Sequence, residues 1–254
     1  MSPQTVHLAQ MTYPEAAELY ARRPIALWPV GSTEPHGPHL ALRTDVVIAE
    51  GMAQHAATRL LQRELPVMIL PSLPFGVTEF GRDFAGALSV PAAALVEMIV
   101  GVATCLKRDG ARALVLCNAH LEPGHLQALR DAARAATERT GLPTCFPDKT
   151  SRPIARSLSA EFKSGACHAG QYETSLVLAQ EPTSVRSELA SGLPPVEISL
   201  SKAILGGKTS FKEAGGERAY FGFPAQATAG EGEALYATLA DHVVRETLEL
   251  LGSG

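Results

Sequence analysis

Tryptophan occurs once in these 254 residues, aromatic residues make up 6% of them, and the four cysteines stand far apart. Cys105, Cys117, Cys145 and Cys167 contain no Cys-x-x-Cys pair. That spacing excludes a zinc ribbon and reads as reduced, mostly buried thiols of a cytoplasmic protein. There is no basic run, and the formal net charge is −4, so neither nucleic acid nor an anionic membrane is expected as a partner. No apolar stretch approaches the roughly 20 residues that cross a bilayer. The first residues lack the basic and apolar regions of a secretory signal, and none is expected. No Gly-x-Gly-x-x-Gly follows a strand-like run, which weakens a dehydrogenase reading. Gly206-Gly207-Lys208-Thr209 lacks the first glycine of a phosphate loop.

What is present is enough apolar material for a sizeable core: 46% of the chain is hydrophobic. No linker or repeat divides it, so residues 1–254 are read as one domain. Apolar runs of strand length at Ile25–Val30, Val67–Leu70, Ala113–Cys117 and Pro143–Phe146 alternate with helical patterns. Those patterns cover Pro14–Arg22, the stretch from Thr44 to before Pro66, Pro91–Lys107, Leu126–Arg139, Gly170–Gln180 and Ala234–Leu251. Residues 182–200 are expected to hold one or two short strands, 148–165 resist assignment, and 72–89 and 206–232 read as long functional loops. Continuous apolar strands separated by helices predict an α/β three-layer sandwich around a mostly parallel sheet. Ligands of such sheets gather beyond the carboxyl ends of the strands.

The polar residues concentrate at those ends. Glu34, His36, His39 and Asp45 follow the first strand on a segment stiffened by Pro35, Gly37 and Pro38. His120 and Glu122 follow the third strand, and His168 precedes a helix that carries Glu173 in its first turn. Glu34 and His36, like His120 and Glu122, are two residues apart, so extended backbone turns each pair to one side. Singly, each has a plainer explanation: a helix-start aspartate, a solvated loop carboxylate, a satisfied loop histidine. Together, crowded carboxylates repel unless cations neutralise them. Five ligands exceed what one tetrahedral ion needs, which suggests two divalent ions with Asp45 as the bridge. His168 is a candidate acid–base, and His39 and His125 suit supporting positions behind the ligands. Cys167 lacks the partners of a nucleophile.

The motifs that carry these residues resemble the creatininase, or creatinine amidohydrolase, family. They are Gly31-Ser-Thr-Glu-Pro-His-Gly-Pro-His-Leu with Thr44-Asp45, Asn118-Ala-His-Leu-Glu122, and His168-Ala-Gly-Gln-Tyr-Glu-Thr-Ser. Phe75-Gly-Val-Thr, Phe84-Ala-Gly-Ala-Leu-Ser and Gly222-Phe-Pro-Ala-Gln-Ala-Thr-Ala are similar to further family segments. The resemblance implies a sandwich-like α/β subunit in a homohexamer, with a dinuclear zinc or manganese site. It implies Glu34, Asp45 and His120 on one ion, His36, Asp45 and Glu122 on the other, Glu173 as the alternative to Glu122, and His168 as proton shuttle. Two departures stand out: Leu121 and Pro123 replace an aromatic and an asparagine, and the only tryptophan, Trp28, lies on the first strand rather than before the third motif.

The expected activity is therefore hydrolysis of a C–N amide bond in a small, including cyclic, substrate by a metal-bridging hydroxide. Thr78 and Leu121 are expected to line the substrate pocket. The alternatives are a deformylase of formamidopyrimidine compounds, a peptidase, or a non-catalytic metal-stabilised binding protein.

Overall fold

The computed structural model describes residues 6–252. Four parallel strands, β1 (Ile25–Val30), β2 (Val67–Ile69), β3 (Ala113–Asn118) and β4 (Thr144–Cys145), lie in the order β2-β1-β3-β4. β1 and β3 are wholly buried, so both their faces carry apolar side chains. Ile25, Leu27, Val115 and Cys117 face α2 (Thr44–Leu61), α7 (Gln171–Gln180) and α10 (Ala229–Leu250). Ala26, Trp28, Val30, Leu114 and Leu116 face α3 (Ala92–Asp109) and α4 (Pro123–Thr140). A helical layer on each side of the sheet gives the three-layer sandwich.

The ends of the helices follow from local chemistry. Before α1 (Tyr13–Ala21), the Glu15 carboxylate accepts from both the Thr12 amide and its hydroxyl, each at 2.7 Å. Gly110 and Gly141, both left-handed, stop α3 and α4. α4 begins three residues earlier than its apolar periodicity indicates, because Pro123 suits the first turn of a helix. α10 likewise begins at Ala229, where the Thr228 hydroxyl accepts from the Glu231 amide at 3.1 Å.

The strands expected within 182–200 do not form. That stretch holds a 3₁₀ turn (Pro182–Ser184), α8 (Ser187–Ser191) and a single bridge from Val196 to Gly222. Pro182, Pro194 and Pro195 lack the amides a ladder needs. The unassigned stretch before α7 folds as α5 (Arg152–Ala155) and α6 (Ala160–Ser164), and α9 (Leu200–Leu205) follows α8. No described helix is long and apolar enough to cross a membrane.

Val30 pairs with Asn118 at the last register position of β1 and β3, so the loops that follow them leave the sheet side by side. A bridge from Val30 to Leu73 brings the 72–89 loop to the same edge.

Candidate metal centre

Three connections converge at that edge. The loop after β1 contributes Glu34 and His36, and the first turn of α2 contributes Asp45. Gly31 allows that turn to approach, since a Cβ there would meet the Asp45 backbone and Cβ at 2.8 Å. The loop after β3 contributes His120 and Glu122, and the start of α7 contributes His168 and Glu173. Glu34, His36, Asp45, His120, His168 and Glu173 are all buried.

Each of three imidazoles is oriented by a backbone carbonyl. His36 Nδ1 donates to the Glu34 carbonyl at 3.1 Å, His120 Nε2 to that of Val77 at 2.8 Å, and His168 Nε2 to that of Pro35 at 3.0 Å. The other nitrogen of each ring is thereby turned inward, where it can bind either a proton or a cation. His36 Nε2 stands 3.3 Å from Asp45 Oδ1, 3.6 Å from Glu173 Oε2 and 3.8 Å from Glu34 Oε1. His120 Nδ1 stands 3.1 Å from Asp45 Oδ2 and 3.2 Å from Glu34 Oε1. His36 Nε2 and Asp45 Oδ2 are fully buried yet have no hydrogen-bond partner. Two donors each about 2.1 Å from a shared ion lie roughly 3.4 Å apart at the tetrahedral angle. The observed spacings suit a cation between lone pairs that otherwise repel.

The donors fall into overlapping groups within 4.8 Å: Glu34, His36 and His168; Glu34, His120 and Glu122; His36, Asp45 and Glu173. Asp45 offers one oxygen toward each of His36 and His120, as a bridge would. The carboxylate beside His36 is that of Glu173, at 3.6 Å, whereas Glu122 sits with Glu34 and His120. The physical reason lies in the 72–89 loop. The amides of Glu79 and Phe80 donate to the two Glu122 oxygens at 3.0 and 3.1 Å and draw that side chain away from His36.

Burial opposes every charge here, and the neighbours decide the outcome. Burial would raise Glu34, but the His120 imidazole more than offsets it and holds the carboxyl at about 2. Burial would lower His36, but Asp45, Glu173 and Glu34 raise it to about 10. Burial raises Glu173 to about 7. Burial and the nearby His36 lower His168 to about 4, so it is a free base at neutral pH. In the metal-free protein, protons on His36 and His120 therefore stand in for cations.

The supporting contacts place His39 and His125 as expected. His39 shares a hydrogen bond with Thr174 at 2.9 Å. His125 accepts from the Val77 amide at 3.3 Å and donates to Asn118 Oδ1 at 3.0 Å, which steadies the peptide that holds His120. Thr78 does not line the cavity. It is buried, and its hydroxyl donates to Glu34. Lys149 escaped the sequence reading because it lies in the unassigned 148–165 stretch. Its ammonium is buried without a hydrogen-bond partner, and burial lowers its pKa against the pull of Glu173 and Asp45.

Beside the cluster opens a cavity of about 340 Å³. Leu121, Phe80, Phe162 and Phe211 form apolar walls, and the Phe211 ring stacks on His168 with centroids 4.1 Å apart.

Fold and donor set together define an α/β protein with a buried site for two divalent ions. The sequence model of the creatinine amidohydrolase family matches residues 9–247, and the chain belongs to that family. A mycofactocin precursor peptide peptidase of Mycobacterium tuberculosis is 32% identical over 91% of this chain and 87% of its own. A creatinine amidohydrolase of Pseudomonas putida is 28% identical over 76% and 78%. The crystal structure of a creatininase superposes with a TM-score of 0.73 at 21% identity, covering 96% of this chain and 97% of the other. Creatininase structures with the same fold exist in manganese and zinc–zinc forms.

Proposed function

We propose that this chain is a metal-dependent hydrolase that cleaves a C–N amide bond in a peptide. The observation that carries the peptide reading is the M. tuberculosis peptidase: its likeness is stronger and covers more of the chain than that of the creatinine amidohydrolase. The cavity supports it. Its lining contains no tryptophan to enclose a small flat ring, and its outer wall includes exposed residues such as Lys163 and Ser164.

Glu34, Asp45 and His120 would hold one ion and His36, Asp45 and Glu173 the other, with Glu122 beside the first. The mixed nitrogen and oxygen set accepts zinc or manganese. Such ions supply Lewis-acid polarisation of a carbonyl and a water that ionises near neutrality. The remaining steps belong to the protein. His168 is neutral, and its bare Nδ1 lies 3.8 Å from Glu34 Oε1 at the cavity floor. It would take there the proton that the attacking water gives up and deliver it to the leaving nitrogen, which cannot depart as an amide anion. The Pro35 carbonyl fixes the ring through Nε2, and Phe211 shields one of its faces from water. Thr78 holds Glu34 in place.

The test is turnover of unmodified short peptides, creatinine and simple amides by protein stripped with chelator and reloaded with zinc or manganese. Metal-dependent release of new amino termini is the expected result. Turnover of creatinine alone would transfer the assignment to the small-amide reading. Stoichiometric metal with no turnover of any amide would favour a binding protein.

A further inference from the structure

The cavity has a chemical asymmetry that the hydrolytic machinery leaves unexplained. Its floor holds the carboxylates of Glu34, Asp45, Glu122 and Glu173, whose four negative charges two divalent cations cancel. Beyond that floor the charged lining residues, histidines aside, are Lys163 and Lys202. Both are exposed and so mark the mouth, and neither has an ion-pair partner among the described residues. The loaded cavity is therefore neutral at its base and doubly positive at its rim.

The two lysines are placed by structure rather than scattered. Lys163 is in α6 and Lys202 in α9, and the segments pack against each other. The Ser201 amide donates to the Gly165 carbonyl at 3.2 Å. Gly165 is left-handed (φ 82), and a Cβ on it would meet Ser199 Oγ at 2.5 Å, so the contact is as close as glycine permits. Each short helix is capped from its own start: Ser159 Oγ accepts from the Phe162 amide at 3.2 Å, and Ser199 Oγ accepts from the Lys202 amide at 3.4 Å. Ser201, between them on the same wall, has a side-chain hydroxyl that can donate to an anion.

We propose that Lys163 and Lys202 form a carboxylate-binding subsite at the cavity mouth, so that the preferred substrate joins a scissile amide and an apolar body to an anionic group. The inference rests on the hydrolase reading for its kinetic consequences but not for binding. Two exposed ammonium groups on one carboxylate support about tenfold discrimination, screened by salt. The carboxylate can come from a peptide's α-carboxyl end or from an aspartate or glutamate side chain.

The experiment uses the metal-loaded protein and four matched peptides: free acid or C-terminal amide, each with glutamate or glutamine near the cleavage point. Wild type is expected to favour an anionic member about tenfold in kcat/KM, through KM, with the advantage shrinking in high salt. Comparison of the two anionic positions identifies the source of the carboxylate. The Lys163→Met/Lys202→Met double variant should lose the preference and keep its turnover of the neutral peptide. Lys202→Glu should reverse it toward a lysine-bearing peptide. Equal loss on neutral and anionic peptides, or an unchanged preference, overturns the subsite. Binding is measured in parallel by calorimetry with the D-amino-acid free-acid and amide peptides. If no peptide is cleaved, the peptidase reading fails by itself, and the subsite still stands or falls on whether the free acid binds more tightly to wild type than to the double variant.

Discussion

At the scale of single residues, the proposed function divides the site between groups that hold cations and one, His168, that moves protons. His36 and His120 each turn a ring nitrogen toward Asp45 and Glu34, and His168 Nδ1 lies 3.8 Å from Glu34 beside the cavity. His36→Ala and His120→Ala should each lose metal and activity together. His168→Ala should keep two ions per chain and lose about 10²- to 10⁴-fold in kcat. Elemental analysis beside kinetics separates the two, and full activity in His168→Ala would remove its role. The metal-free site also predicts a pH dependence. His36 is raised to about 10 and His120 well above its usual value, so at neutral pH both carry protons that must leave before a cation enters. Metal affinity therefore climbs as pH rises toward about 10 and falls on acidification, by about tenfold per unit for each proton released. Calorimetry in buffers of different ionisation enthalpy measures that release. Uptake without it would show that the imidazoles were neutral beforehand.

At the scale of elements, one buried carboxylate ties the catalytic helix to the cavity wall. Glu161 of α6 accepts from the amides of Gln171, Tyr172 and Phe223 at 2.9, 2.8 and 2.7 Å. It thereby caps α7, which carries Glu173, and holds the turn that begins at His168. Gly170 and Gly222 make room for it, since a Cβ at either would come within 2.4 Å of a Glu161 oxygen. Glu161→Ala would deprive one buried and two half-buried amides of their acceptor, a loss of about 2–3 kcal/mol. Urea denaturation reads the stability, and if Glu173 holds an ion as proposed, its displacement reads as weaker binding of one metal equivalent. Most elements were legible beforehand because strands buried on both faces are continuously apolar and glycines end α3 and α4. The 182–200 stretch was misjudged because its prolines and short apolar pieces fit irregular chain as well as strand. α5 and α6 were invisible because a helix of four or five residues has no period to detect.

At the scale of the whole molecule, the repulsion gathered at the sheet edge is the price of the site, and bound cations remove it. Chelation should lower Tm by roughly 10–20 °C for two ions each held at about a hundred times its Kd. Re-addition of zinc or manganese should restore both Tm and activity, and an unchanged Tm after verified metal removal would contradict the arrangement. Much of this was determined by the order of residues alone. The alternation of strand and helix dictated a parallel sheet, and a parallel sheet places the loops after β1 and β3 at one edge. The clustering of Glu34, His36, Asp45 and His120 followed from that rule. Only the tertiary structure set Glu173 beside His36 and Glu122 beside His120, turned the Thr78 hydroxyl to Glu34, and buried Lys149 within electrostatic reach of Glu173 and Asp45. Those outcomes depend on amides and side chains donated by segments far away in the chain, and no local pattern records which distant donor reaches a carboxylate first.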